Sequence, residues 1–343
     1  NPECFYGTPT MPVFRFWMVT VGGTNISLVS VIENIFLIYL FSRPAHRQGQ
    51  NLYMLLIAIF DLFVSFAYIL LMSLNVLSDY LYYLDYFQLA PRLLRFWFSY
   101  AAPLMTLSHI AMSSSSFLII AASVERYFLA TKSPKLIFVQ NYRGMIALAS
   151  ILLGVGSKFS VYYELDIQHH TNCTGQMLEF QMDYSSFVHG TLYNSIVRFW
   201  FRTIITFVVT LLILIYLNFR IFIAQTNTDA SRSAKYSFIA IVCCNIASNV
   251  CNVILGVGEN FAKDTLIQNH LTIYAVTVDV ASLAITFICS LRLPIYLLCQ
   301  TPLSEEILGI FRSWFKCNKD RVSPQDKDGE NGISDTTNDT LTK

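Results

Sequence analysis

Residues 52–77 read LYMLLIAIFDLFVSFAYILLMSLNVL, an apolar run that contains a single charged residue, Asp61. A helix needs about 20 apolar residues to cross the hydrocarbon core of a bilayer, so this run predicts a membrane span. Over the whole chain 54% of the residues are hydrophobic and 13% are charged, whereas soluble proteins carry about 25% charged residues. The net charge of +1 offers no basic field for nucleic acid. The composition therefore predicts an integral protein of the lipid bilayer.

Six further runs of similar length and composition accompany residues 52–77. Together they predict an all-α fold, a seven-transmembrane helix bundle. The predicted spans are Phe16–Phe41, Leu52–Leu77, Phe96–Ala130, Gly144–Tyr163, Ile196–Ala224, Tyr236–Gly258 and Leu271–Cys299. The predicted organisation is an extracellular segment at 1–15, a seven-span domain at 16–299, a short amphipathic helix at 300–317 and a disordered tail at 318–343. Ile307 is predicted to lie on the face of the amphipathic helix that contacts lipid.

The distribution of lysine and arginine predicts the orientation of these spans, because cytoplasmic loops carry an excess of basic residues. The basic loops hold Arg43, Arg47, Lys132, Lys135, Arg143, Arg220, Arg232 and Lys235. The opposite loops are acidic and hold Asp79, Asp85, Asp166, Glu179, Asp183, Glu259 and Asp264. We therefore expect a multi-pass plasma-membrane protein with an extracellular amino terminus and a cytoplasmic carboxyl terminus.

Charged residues inside the spans need an explanation, since a polar group in hydrocarbon is costly and marks a functional site by default. The residues concerned are Glu33, Asp61, Asp279, Arg292 and the adjacent pair Glu125-Arg126. Lys158 is expected to extend its ammonium group to the outer interface, as long basic side chains do. An acid beside an arginine at a helix end can also be a simple interfacial ion pair.

Several polar residues of the spans fall into a known pattern. Glu125-Arg126-Tyr127 closes span three, and Arg292-Leu-Pro-Ile-Tyr296 lies near the inner end of span seven. With Asn34 in span one and Asp61 in span two, the chain resembles the rhodopsin-like G-protein-coupled receptors from span one to the helix after span seven. The pieces Leu107–Ala111 and Ser123–Tyr127 resemble invertebrate receptors for FMRFamide-like neuropeptides. Nematode chemosensory receptors for small molecules are the alternative.

The resemblance implies roles for the residues at the cytoplasmic end. Glu125 is expected to hold Arg126 at rest, and activation is expected to free Arg126 for Tyr216 and a heterotrimeric G protein, while Tyr296 moves inward. Arrestin and a receptor kinase are implied partners of the tail.

The resemblance also implies an internal polar network. Its expected members are Glu33, Asn34, Asp61, Ser115 and Arg292. Family members with Asn or Asp at the Arg292 position bind sodium there. A guanidinium keeps its proton in proteins, so Arg292 is predicted to pair with Asp61 and displace the ion, with Glu33 as a second acid. The alternative is that Arg292 reaches the cytoplasmic interface.

The chain departs from the family at four places. Span four has no Trp, span five has Val208 where a Pro is usual, and span six reads Cys244-Asn-Ile-Ala247 in place of Cys-Trp-x-Pro. These departures leave open whether the receptor signals in the ordinary way. Span three also lacks its outer Cys. A Cys4–Cys173 disulfide is therefore predicted, and two free thiols are the alternative.

The resemblance places a ligand pocket at the outer ends of spans three, five, six and seven. Ser108 stands where amine receptors carry Asp, and Thr286 stands where opsins carry Lys, which argues against both classes. The expected pocket residues are Arg95, Trp97, Tyr100, Ser108, His109, Arg198, Trp200, Arg202, Glu259 and Asp279. Charges of both signs fit an extracellular peptide ligand, although Trp97 and Tyr100 also fit the aromatic belt of any membrane protein and His109 a packed core residue.

Modification patterns and rival classes complete the sequence-based predictions. Asn172-Cys173-Thr174 is a glycosylation acceptor pattern in an outer loop, and Cys317 is a predicted palmitoylation site or, equally, an idle thiol. The sequence contains no metal-ligand cluster, nucleophile motif or phosphate loop, so we expect no enzyme activity, no cofactor and no metal. A seven-helix transporter or channel is a distant alternative.

Overall fold

The computed structural model describes residues 4, 6–43, 51–186, 188 and 193–224, parts of 239–254, and residues 271–299, 304–309 and 312. These residues are mostly helical. The helices are α1 (Pro12–Phe41), α2 (Asn51–Tyr83), α3 (Leu89–Ala130), α4 (Lys135–Asn141), α5 (Arg143–Glu164), α6 (π-helical over Asn194–Val209 and α-helical over Thr210–Ala224), α7 (Leu271–Ser290) and α8 (Arg292–Cys299). The strands are β1 (Leu165–His169) and β2 (Phe180–Tyr184).

Within the described residues, five helices are long and apolar enough to cross a membrane: Pro12–Phe41, Asn51–Tyr83, Leu89–Ala130, Arg143–Glu164 and Thr272–Leu298. They correspond to predicted spans one to four and seven. Predicted span five is helical, with a shorter apolar stretch at Thr210–Ile223. Most of predicted span six lies outside the described residues, and those described within 239–254 are helical. The chain is thus a helical protein with several helices able to span a membrane.

Two helices begin earlier than the hydropathy predicts. α1 starts at Pro12, where proline is favoured because its fixed φ suits the first turn and its missing N–H is not needed there. α3 starts at Leu89, which brings Arg92 and Arg95 into the helix beyond its apolar part. Both helices therefore extend beyond their apolar stretches at the end of the bundle that was predicted to be extracellular, which is called the outer end below.

α3 lies at the centre of the helix packing. It contacts α2, α5 and α6, whereas α1 contacts α2 and α7. The largest hydrophobic core fills the inner half of these helices. Its fully buried members include Leu37, Leu40, Tyr53, Ile57, Leu118, Ile119 and Leu214.

Small residues let two pairs of helices approach closely. A Cβ atom on Gly154 of α5 would lie 2.1 Å from the Ser114 hydroxyl and 2.7 Å from the Ser114 backbone nitrogen of α3. A Cβ on Gly23 of α1 would lie 2.2 Å from the Tyr68 hydroxyl of α2. Small residues at such contacts are typical of packed membrane helices, where close backbone approach supplies much of the attraction.

An antiparallel hairpin covers the outer side after α5. β1 pairs with β2 from Leu165 opposite Tyr184 to His169 opposite Phe180. The loop between the strands carries Cys173, which forms a disulfide with Cys4 across a Cα–Cα distance of 5.5 Å. This confirms the predicted Cys4–Cys173 pairing and ties the amino-terminal segment to the hairpin. Asn172 next to it is exposed, as a glycosylation site requires.

Residues 304–309 form a helix after α8, within the predicted amphipathic segment. The prediction that Ile307 faces lipid is wrong: it is fully buried in the inner hydrophobic core. Arg43 follows α1, and its Nη1 lies 3.4 Å from Oε1 of Glu306. This ion pair links the helix at 304–309 to the end of α1. Cys317, the predicted palmitoylation site, lies outside the described residues.

Candidate functional site

The charge that the sequence placed near the inner end of the seventh span is paired inside the bundle. Arg292 starts α8, directly after the helix is interrupted at Leu291. Its Nη2 donates to Asp61 Oδ1 at 3.1 Å and to the Ser115 hydroxyl at 3.5 Å, and its Nε forms an ion pair with Asp61 Oδ2. Arg292, Asp61 and Ser115 are all buried. The predicted Arg292–Asp61 pair is confirmed, and the alternative of a solvent-reaching Arg292 is wrong.

Two other predicted members of the polar network have different positions. Asn34 of α1 donates to the Ser30 carbonyl at 2.9 Å and to the Cys289 carbonyl of α7 at 3.3 Å, so it links these helices. Glu33 is not a second acid for Arg292. In the described part of the chain the side-chain hydrogen bonds and the ion pair of Arg292 go to Asp61 and Ser115, and the buried Oε2 of Glu33 has no hydrogen-bond partner.

The end of α3 that was predicted to be cytoplasmic has an ion pair that the sequence did not predict. The fully buried carboxylate of Glu125 accepts from Nε of Arg143, with 3.0 Å to each oxygen, and pairs with its Nη2. Arg143 starts α5, and sequence reasoning used it only for orientation. The prediction named Arg126 as the group held by Glu125; the structure shows an ion pair of Glu125 with Arg143 in addition to an electrostatic interaction with Arg126.

Arg126 itself lies beside the residues that were predicted to work with it. It is within electrostatic reach of both Glu125 and Tyr296, and the Tyr296 hydroxyl donates to the Met54 sulfur at 3.0 Å. Tyr127 interacts with Arg220 of α6. Tyr216, the predicted activation partner, is 58% exposed and faces outward. This end of α3 therefore brings Arg126 and Tyr296 together, whereas Tyr216 interacts with Arg220.

A buried polar cluster joins α5 and α6 at the outer side. Nη2 of Arg202 donates to both carboxylate oxygens of Glu164 at 2.6 Å, and the Tyr193 hydroxyl donates to the same group at 2.6 Å. Lys158 is 5% exposed and interacts electrostatically with Glu164 and Arg202. The prediction that Lys158 reaches the interface is therefore wrong. His109 of α3 lies within electrostatic reach of the same groups.

A second outer cluster joins α1, α2 and α7. Nε of Arg15 donates to Asp279 Oδ2 at 2.6 Å, its Nη2 to Asp279 Oδ1 at 3.3 Å, and its Nη1 to Asp79 Oδ2 at 3.3 Å. The Tyr6 hydroxyl donates to Asp79 Oδ1 at 2.9 Å. Asp279 was predicted as a ligand contact, and in the structure it binds the guanidinium of Arg15. Sequence reasoning missed Arg15, because a single arginine before an apolar run carries no signal of a partner 264 residues away.

The aromatic residues predicted for the pocket serve mainly as packing. Trp97 donates to the Leu71 carbonyl at 2.8 Å and Tyr100 to the Leu70 carbonyl at 2.9 Å, so both hold α3 against α2. Trp200 is 58% exposed, as an interfacial aromatic residue would be. Ser108 is half-buried. The Arg198 side chain and all of Glu259 lie outside the described residues.

Arg95, at the outer end of α3, holds the hairpin loop. Its guanidinium pairs with Glu179, which also accepts from the Gly175 backbone N–H at 2.9 Å. Burial alone favours the protonated carboxyl. The hydrogen bonds from Arg95 and Gly175 outweigh it and hold the pKa of Glu179 below its ordinary value. Glu179 is therefore ionised at neutral pH and fixes the disulfide-bearing loop on α3.

A comparison with known protein families found no model that matches the chain, and a comparison with curated proteins found no significant match. The fold and the buried ion pairs define the class directly: a helical protein whose apolar helices are able to cross a membrane and enclose charged side chains.

Proposed function

We propose that the chain is a rhodopsin-like G-protein-coupled receptor of the plasma membrane, which binds an extracellular ligand and activates a heterotrimeric G protein. The observation that carries the proposal is Arg126 of Glu125-Arg126-Tyr127, which ends α3 beside Tyr296 in the helix bundle. A charged arginine inside a membrane span is energetically costly, so its presence there marks a functional site by default. The five long apolar helices, the apolar part of α6 and the helical residues in 239–254 support seven crossings.

The geometry supports a specific version of the switch. Arg143 neutralises Glu125 from α5, so the resting contact joins the cytoplasmic ends of two helices. Arg126 then turns from its environment near Tyr296 towards the carboxy-terminal helix of the G protein. This movement does not require the Glu125–Arg143 pair to open, because the two arginines belong to different helices.

We propose a peptide as the extracellular ligand, because the outer side holds buried charges of both signs. Arg202 and Lys158 lie in one cluster, and Asp79 and Asp279 lie in the other. Arginine side chains and carboxyl groups of a peptide need partners of both kinds. A small-molecule chemosensory receptor is the alternative outcome of the test.

The test is a screen of amidated peptides on cells that express the chain, read as dissociation of a co-expressed heterotrimeric G protein. With an active peptide in hand, Arg126→Ala should abolish dissociation while surface expression stays close to wild type. Arg43→Ala is the matched control, since it removes a partly exposed arginine from the same end of the bundle without touching the proposed G-protein contact or the Glu125–Arg143 pair. Retained coupling in Arg126→Ala would refute the assignment. A library without any active peptide, together with active odorant-sized molecules, would favour the chemosensory alternative.

A further inference from the structure

The outer end of α2 and α7 holds a guanidinium group in a bidentate contact. Arg15 approaches both oxygens of Asp279 through Nε and Nη2, at 2.6 Å and 3.3 Å, and a third contact reaches Asp79. The Asp279 side chain is 1% exposed and that of Asp79 is 13% exposed. A planar guanidinium that uses several donors on carboxylates is the strongest geometry for recognising this group.

The charges of this cluster do not balance within the described residues, because two carboxylates face one guanidinium. Tyr6 adds a hydrogen bond but no charge: burial, and next the Asp79 carboxylate, raise the pKa of its hydroxyl, which stays protonated. Tyr68 is 5% exposed, interacts electrostatically with Asp279, and its buried hydroxyl has no hydrogen-bond partner in the described part of the chain. The described part of the site thus holds one carboxylate charge more than the guanidinium of Arg15 neutralises, and it also holds the buried Tyr68 hydroxyl.

Arg15 is carried by a segment whose start is under strain. Met11, the residue before the first turn of α1, has a φ of 45°, a left-handed conformation that is rare for a bulky side chain. No side chain caps the helix at this residue. The disulfide between Cys4 and Cys173 ties the segment to the hairpin loop independently of the contacts of Arg15.

We propose that Asp79 and Asp279 form a guanidinium-binding site at the outer ends of α2 and α7, and that Arg15 is its internal occupant. An extracellular ligand enters the site by placing its own arginine side chain where that of Arg15 lies. The binding site stands on the contacts of Arg15, whereas the exchange with a ligand rests on the proposed receptor function. The chemical class of ligand is a molecule that bears a guanidinium group.

Thermal unfolding of the purified full-length chain tests the site, with arginine amide as the probe. Arg15→Ala should unfold at a lower temperature than wild type, and millimolar arginine amide should raise that temperature in a saturable manner, as a ligand of the folded state does. Wild type should gain little, because Arg15 fills the site. Citrulline amide, which has a similar shape but a neutral group in place of the guanidinium, is the control compound. Arg15→Ala/Asp279→Asn is the control variant.

Stabilisation of Arg15→Ala by arginine amide that is absent in Arg15→Ala/Asp279→Asn supports the site. An equal response of the two variants, or no response of Arg15→Ala, overturns it. If Arg15→Ala does not fold in the absence of the probe, the yield of folded protein after expression in arginine amide is measured instead, and an unchanged yield overturns the site. Neither readout uses a G protein. The guanidinium site and the proposed receptor function can therefore be refuted separately.

Discussion

Replacing Asp61 by Asn leaves the guanidinium of Arg292 inside the bundle without its counter-charge. The structure gives this pair a 3.1 Å hydrogen bond and a second ion contact, with both groups buried. Two unit charges about 4 Å apart interact by about 4 kcal/mol at an effective dielectric constant of about 20. Breaking a buried pair by removing one partner costs about 3–5 kcal/mol. We therefore expect Asp61→Asn to lower the free energy of unfolding by about 3–5 kcal/mol.

Equilibrium unfolding of the purified chain in detergent measures this change, with two control variants. Ser115→Ala removes only the 3.5 Å contact to Arg292 and should cost about 1 kcal/mol. Asp61→Leu/Arg292→Met removes both charges and should lie much closer to wild type than Asp61→Asn does, because replacing a whole buried pair by apolar groups is often neutral. A change below about 1 kcal/mol in Asp61→Asn, or a double variant as unstable as the single one, would refute the reasoning.

Three further predictions concern ions, packing and pH. The unfolding temperature of wild type should be the same in sodium chloride and in N-methylglucamine chloride, because Arg292 takes the place of the ion beside Asp61. The Arg292→Asn variant should be stabilised by sodium. A sodium effect on the unfolding temperature of wild type would contradict the displacement of sodium by Arg292. Gly154→Ala should lower the free energy of unfolding by about 1–3 kcal/mol, because the added methyl group overpacks against Ser114. Gly156 faces open space, so Gly156→Ala should lower the free energy of unfolding by less than about 0.5 kcal/mol in the same assay, once the higher helix propensity of alanine is allowed for. The lowered pKa of Glu179 means that its contact with Arg95 stabilises the fold above the unfolded pKa of about 4.3 and is lost as the pH falls through the folded pKa. The difference in unfolding temperature between wild type and Arg95→Ala should therefore be constant above about pH 5 and shrink as the pH falls below the unfolded pKa of about 4.3; a difference that does not shrink in acid would contradict it.

Hydropathy predicted the five long helices, because a bilayer imposes one length and one composition on every helix that crosses it. The Arg292–Asp61 pair was predicted from the resemblance, which implies one polar network for these positions, together with the need of a buried guanidinium for an anion. The Cys4–Cys173 disulfide was predictable because few cysteines lie on the outer side.

The missed contacts share a physical reason. Glu125 with Arg143, and Arg15 with Asp279, depend on which helix faces are turned towards each other, and this rotation is set by packing such as that of Gly154 against Ser114. Lys158 was misplaced for the same reason, because hydropathy gives the depth of a residue in the membrane but not the side of the helix on which it lies. An apolar helix with lipid on one face and protein on the other shows little contrast in its sequence.

Nucleotide exchange on a purified heterotrimeric G protein tests the central claim most directly. The chain is reconstituted in lipid nanodiscs, and the rate of GTPγS binding to each Gα class is measured with the peptide library present. The account predicts that the wild-type chain accelerates binding to at least one Gα class and that Arg126→Ala, reconstituted at the same amount, does not. Rates equal to those of empty nanodiscs for every Gα class, or equal acceleration by Arg126→Ala, would contradict it.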